Sequence, residues 1–289
     1  MDKTLKIAKH EFAINFKRKE FRFFAFFLPL MLVLIVLAFS FTGNEYDMRD
    51  FQEMQKSKWF FAFPSTIAMV FSLAIFLSAN FLLQGIAEEK ENRIMEVLLS
   101  SISFRELLMG KIAGLAFLGL IQFASWVMSG TIVIVLLAPE ILAKAMEKFV
   151  AVETVLLYLV FFFLGYILYA SILAAIGALT ETRGEAQQIG SLMTVFALVP
   201  AVSTMFISEQ TLPVSGALTL FPPTAPITAM IRIFLRNLPM AEALTSIAIL
   251  ILTIIAVIIM TSRIFRAEVL MYGKRFSPKE LLRIMVTGK

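Results

Sequence analysis

The sequence predicts an all-α integral membrane protein, on three observations. Hydrophobic residues make up 59% of the 289, and the mean hydropathy is +0.85. Charged residues are only 16%, against about 25% in an average soluble domain. A single core of this size cannot bury the surplus apolar side chains, so lipid must solvate them. Six mostly apolar stretches, 23–42, 60–87, 112–137, 152–179, 189–208 and 241–262, each reach the roughly 20 residues that a helix needs to cross the hydrocarbon layer. They follow one another along the whole chain, which reads as one domain over 1–289.

The first element is the charged segment 1–22. Leu5, Ala8, Phe12 and Phe16 fall on one helical face, with Lys6, His10 and Lys17 on another. This period predicts an amphipathic helix lying on the membrane surface, apolar side down. The stretch 23–42 is too long for a signal-peptide core and follows 22 residues of charged chain, so it reads as a retained span.

With six spans both ends of the sequence fall on one side. That side carries 19 Lys and Arg and the other 7. Basic residues concentrate in cytoplasmic loops, so both termini and the loop 88–111 are expected in the cytoplasm. The same asymmetry accounts for the formal charge of +5 without nucleic acid as a partner.

The loop 88–111 is dense in charge and long enough to hold helices of its own. Glu88 to Leu99 is helix-forming in composition. Met95, Leu98 and Leu99 share one face, Glu91 and Glu96 point away from it, and Ser100-Ser101 supplies a break. Ser103-Phe104-Arg105-Glu106 is a capping box that starts the third span. Composition fits equally a second span that overshoots the membrane, a turn and a short returning helix, or an ordinary hairpin lying on the surface.

Between the fifth and sixth spans, residues 209–240 are apolar but interrupted by Pro222-Pro223-Thr224-Ala225-Pro226. Proline forbids one continuous helix there, and two short helices dipping into the outer leaflet fit the pattern. The outer loop 43–59 is too short for a folded external domain. Ser277-Pro278-Lys279-Glu280 is a second capping box, opening a short helix in the tail.

Several chemistries are excluded. There is no cysteine and one histidine, His10, so thiol catalysis, disulfides and histidine-rich metal sites are absent. No GxxxxGK[ST], HExxH or GxSxG occurs, and no pair of intramembrane aspartates suggests a membrane protease. Charges inside the spans are scarce, which counts against a secondary transporter or channel working alone. The deep polar groups are mild: Asn80 and Gln84 share a face at i, i+4, with Gln122 on the third span and Ser191, Thr194, Ser203 and Thr204 on the fifth. Asn80, Gln84, Ser191 and Thr194 are the candidates for a substrate path, against the plainer role of hydrogen bonding between helices.

The run EEKENRIMEVLLSSISFRELLMGKIAG resembles the cytoplasmic segment of ABC type-2 permeases, most closely the sodium-efflux-permease-like branch. Phe221-Pro222-Pro223-Thr224-Ala225-Pro226 and Ala267-Glu268-Val269-Leu270-Met271-Tyr272-Gly273-Lys274-Arg275 are similar to later motifs of that branch. Two features depart from it: no proline lies near Phe104, and only a short loop follows the first span where many relatives carry an external domain. The resemblance implies an exporter permease of six spans that pairs with a second permease, identical or not. An ABC ATPase, which holds the ATP and Mg, would dock beneath in the cytoplasm. It also implies that Glu88, Glu89, Glu91, Arg93, Glu96, Ser100 and Ser101 form the coupling region. This chain would bind no cofactor and catalyse nothing, and its cargo, an ion such as sodium, a drug or a peptide, stays open.

Overall fold

The computed structural model describes residues 3–40, 62–137, 152–180, 182–192, 212–235 and 237–270, and all of its regular elements are helical. In order they are α1 (Lys3–Lys17), α2 (Lys19–Arg22), a π-helical turn (Phe23–Phe27), α3 (Leu28–Ser40), α4 (Ala62–Glu91), α5 (Ile94–Ser101), α6 (Phe104–Leu137), α7 (Val152–Leu179), α8 (183–192), α9 (Leu212–Leu220), α10 (Ala225–Phe234) and α11 (Met240–Leu270). Among the described residues, three helices, Glu106–Val133, Glu153–Leu179 and Met240–Ile264, are long and apolar enough to cross a membrane. The tail capping box at Ser277, the outer loop 43–59, Thr194, Ser203 and Thr204 lie outside the described residues.

Helix α4 is central. Ile75, Phe76, Ala79, Leu82, Leu83 and Ile86 are buried, against Leu115 and Leu118 of α6 and Phe161, Phe162 and Leu173 of α7. On α11, Ile251, Leu252, Ile255 and Ile259 are exposed in a helical stripe, as expected of a face that lipid covers.

The N-terminal helix forms, and part of its apolar face packs against protein. Leu5, expected on that face, is 58% exposed. Ile7 and Phe12 pack into the core and Asn15 is buried. The cause is on α6. A Cβ on Gly110 would sit 2.7 Å from Ile7 Cβ and 2.9 Å from the Thr4 carbonyl oxygen, and one on Gly114 would collide with the Ala8 carbonyl. Four-residue glycine spacing lets two helix backbones approach closely. Residues 4–12 thus track 110–117 in the same direction, Phe12 ending edge-on to Phe117.

Where the chain enters α3 the helix widens into a π turn. Leu28 N–H bonds to Phe23 O, and the Trp126 indole N–H donates to the Phe24 carbonyl at 3.0 Å.

The proline-interrupted segment forms two short helices, α9 and α10, joined by a turn at Phe221–Thr224. Pro226 stands in the first turn of α10, where its missing N–H costs nothing. The tip lies against the middle of α7: a Cβ on Gly165 would be 2.6 Å from Pro226 Cβ, and the Tyr169 hydroxyl donates to the Pro223 carbonyl. At about 1.5 Å per residue that point is roughly 20 Å from either end of α7.

Candidate functional site

The loop after α4 folds as two breaks around one short helix. The first break is at Asn92–Arg93, with Arg93 in the left-handed region at φ 58. A non-glycine residue there costs about 1–2 kcal/mol, and the neighbouring bonds Asn92 N to Glu88 O and Arg93 N to Lys90 O hold the turn. The break expected at Ser100-Ser101 falls later, because both serines end α5 and the chain becomes extended at Ile102. Ser103 and Glu106 then form the expected capping box: Glu106 N–H donates to Ser103 Oγ at 3.3 Å and Ser103 N–H to Glu106 Oε2 at 2.9 Å.

The charges before Arg93 turn inward and tie neighbouring loops together. Lys90 Nζ donates to the carbonyls of Ala178 (2.8 Å) and Thr180 (3.0 Å), at the negative end of α7. Glu91 accepts the backbone N–H of Arg183 at 3.0 Å, at the start of α8. Thr182 Oγ1 accepts the Glu185 N–H in the same first turn. Glu88 pairs with Arg183 at 3.3 Å and Arg18 at 3.9 Å. These exposed pairs are worth about 0–1 kcal/mol each, so their effect is to fix geometry more than to add stability.

Glu89 belongs to a buried cluster. Lys111, 2% exposed, donates to Glu89 Oε1 at 2.7 Å and to Glu11 Oε1 at 2.5 Å. Asn15 Nδ2 donates to Glu11 Oε2 at 3.1 Å. The cluster joins α1, α4 and α6. Burial pushes the Glu89 carboxyl above its usual range, partly offset by Lys111.

What faces outward from α5 is different in kind. Ile94 and Val97 are exposed, Val97 by 70%, and Ser100 and Ser101 beside them are exposed as well. Residues 94, 97 and 101 share one helical face. Met95 is buried and Leu98 and Leu99 are partly buried on the other, the face their spacing predicted. Ser100 Oγ bonds to Val97 O, and the Ser101 carbonyl accepts Lys3 Nζ at 3.0 Å. Glu96 is part of this helix. Among the expected coupling residues, Glu88, Glu89 and Glu91 reach other elements through side-chain bonds, Glu91 while itself exposed, and Arg93, Ser100 and Ser101 are exposed on or beside α5.

The polar candidates of the spans are only partly brought together. Asn80 and Gln84 are half-buried on α4. Asn80 Oδ1 faces Gly190 of α8 and lacks a hydrogen-bond partner among the described residues. Ser191 is exposed and bonds back to Gln188 O. Gln122 is buried.

Lys90, Lys111, Glu11 and Arg183 were not singled out from sequence. Gly110-Lys111-Ile112-Ala113-Gly114 carried a signal, because glycines four apart beside a lysine at a helix start mark a close approach with a charge in it. Replacing Lys90 with alanine should remove about 1–2 kcal/mol of end-capping from α7. Amide hydrogen exchange over residues 176–183 should then speed about tenfold, and unchanged exchange would show that the clasp does not hold the α7–α8 junction.

Comparison with known proteins places this architecture. The chain is 29% identical over 224 residues to the uncharacterized protein MJ1024 of Methanocaldococcus jannaschii, covering 77% of this chain and 53% of that one. It is 26% identical over 228 residues to the uncharacterized protein YhaP of Bacillus subtilis, covering 76% and 54%. It thus spans about half the length of these two relatives. No solved structure matches significantly. The family model described as ABC-2 family transporter protein matches residues 41–263, from ahead of α4 to the last turns of α11, and so takes in the clasped loop and the proline turn: the chain belongs to the ABC-2 transporter family, whose members are membrane components of transport.

Proposed function

We propose that this chain is the membrane-spanning subunit of an ATP-driven exporter in the cell membrane and that α5 receives a separate ABC ATPase. The observation that carries the reading is the division of the loop. An exposed apolar and hydroxyl face on α5 is mounted on a base of internal bonds that reaches four other helices. A partner pressing on Ile94 and Val97 would move α7 and α8 through Lys90 and Glu91, and α1 through Glu89 and Lys111. In this reading ATP and Mg are held by the partner, closure of the ATPase pair favours one arrangement of the spans over another, and the differential affinity sets the shift. The chain supplies the bistable element and no chemistry.

The distribution of Lys and Arg, 19 against 7, supports six spans with both termini in the cytoplasm. The depth of the turn at Phe221–Thr224 along α7 supports a re-entrant α9–α10 hairpin entering from the outer side. Backbone of that kind is tolerated in a membrane where protein covers it, and α7 and α11 cover it here. A second permease subunit completes the pathway, and the cargo is an ion, a drug or a peptide.

Val97→Glu tests the docking face directly. Because Val97 is exposed, the folded permease should keep its thermal midpoint, while recovery of the ATPase with the tagged permease should fall at least tenfold. Full recovery of the ATPase would remove α5 from the contact.

A further inference from the structure

We propose that the cluster of Glu11, Asn15, Glu89 and Lys111 is a proton-binding site, with the proton carried on Glu89 in the arrangement shown. Two carboxylates share a single ammonium, Lys111, so the fully ionised cluster holds one excess negative charge behind a nearly buried lysine. Glu89 Oε2 is buried and has no hydrogen-bond donor among the described residues, and the same holds for the donor-less Oδ1 of Asn15. Asn15 is 3% exposed, and its amide is held in the cluster by Glu11. A carboxylate oxygen buried without a donor is costly. A proton on Oε2 removes the excess charge and the cost of a buried carboxylate oxygen without a donor.

Among the described residues, Lys111 is the cation that acts on Glu89. From α1 Glu89 faces Glu11, and from α6 it faces Lys111. Tyr166 of α7 is fully buried, and its hydroxyl has no hydrogen-bond partner among the described residues. On its own helix, Glu88 adds negative charge but is engaged by Arg18 and Arg183, and Lys90 is turned to the α7 carbonyls. The rise in the Glu89 carboxyl, caused first by burial and opposed by Lys111, agrees with this geometry. The Glu89 side chain keeps 20% exposure while Oε2 itself is buried, so a small opening of the cluster lets water deliver the proton to Oε2 and take it back. Only the O–H bond forms or breaks.

The site lies where α1, α4 and α6 meet, one residue from the Lys90 clasp. If α5 receives the ATPase as proposed above, the stiffness of that transmission would follow cytoplasmic pH. The sign follows from linkage. A carboxyl whose folded value is raised contributes stability that is complete below the ordinary value of 4.5 and is lost as pH rises through the raised value. The joint is therefore firmest on the acid side.

The test uses the purified chain in detergent, without any partner, so its failure would leave the docking proposal untouched. Infrared titration of the wild type should show the carbonyl stretch of a protonated carboxyl persisting well above the ordinary glutamate range. That signal should vanish in Glu89→Gln, and in Glu11→Gln, which leaves Lys111 to Glu89 alone, it should persist only to a lower pH than in the wild type. Glutamine resembles protonated glutamate, so Glu89→Gln should fold, and its thermal midpoint should lose the decline with rising pH that the wild type shows. A wild type with no such carboxyl signal would overturn the proposal. So would a Glu89→Gln variant that is unstable at every pH while the wild type is insensitive to pH.

Discussion

Gly114→Leu should strip α1 from the body of the protein. The added side chain would enter the space of the Ala8 carbonyl and the Glu11 Cβ, the latter 3.0 Å from the position of a Cβ. Backbone cannot yield as a flexible side chain can. Overpacking costs about 1–3 kcal/mol, and displacing Glu11 from Lys111 adds part of the 3–5 kcal/mol typical of a broken buried pair. The expected loss is about 4 kcal/mol or more. It should appear as a lowered unfolding midpoint and as new tryptic cleavage at Lys17, Arg18 and Lys19. Gly114→Ala should show a smaller version of the same effect. A leucine variant with native stability and an intact N-terminus would show that the glycine contact does not hold α1.

The second large effect is expected at the α9–α10 hairpin. Arg232, 7% exposed in its side chain, uses its whole guanidinium. Nη1 donates to Thr219 Oγ1 at 2.9 Å and to Glu242 Oε1. Nη2 donates to Glu242 Oε2 at 2.9 Å and to Asn237 O at 2.8 Å, and Nε also reaches Asn237 O. The Ser246 hydroxyl adds a bond to Thr219 O. One side chain thus fastens α9, the end of α10 and the start of α11. Arg232→Ala leaves Glu242 unpaired at a largely buried position and should cost about 3–5 kcal/mol. Adding Glu242→Ala should return part of that loss, because the stranded charge goes with it. The check is a double-mutant cycle in thermal or denaturant unfolding, and additive losses would show that the two groups do not act as a pair.

Much of this architecture was readable because membrane helices leave a strong record in hydropathy. Val152–Leu179 begins and ends where its apolar run does, and the capping box at Ser103 marked the start of α6. The proline run located the α9–α10 turn, because proline removes a donor and restricts the residue before it. Other features left no local mark. Arg93 takes a left-handed conformation that usually selects glycine or asparagine, so the sequence around it reads as continuous helix. Glu11, Asn15 and Lys111 are polar residues buried on packing faces, where helical periodicity assigns apolar ones. Their burial depends on partners a hundred residues away. For the same reason the charges of 88–91 looked like a docking surface: sequence shows that a charge exists and not which loop it meets. Arg232 and Glu242 become partners only in the fold, which brings the end of α10 to the start of α11.

Drive of this chain by a separate ATPase through the face of α5, as proposed above, is tested by purifying the tagged chain from its native membrane in mild detergent, quantifying what accompanies it and assaying transport after reconstitution. The expected result is an ABC ATPase in near-equal amount, transport that requires ATP, and loss of both from the Val97→Glu preparation. A chain that purifies alone and still moves a substrate without ATP would contradict it.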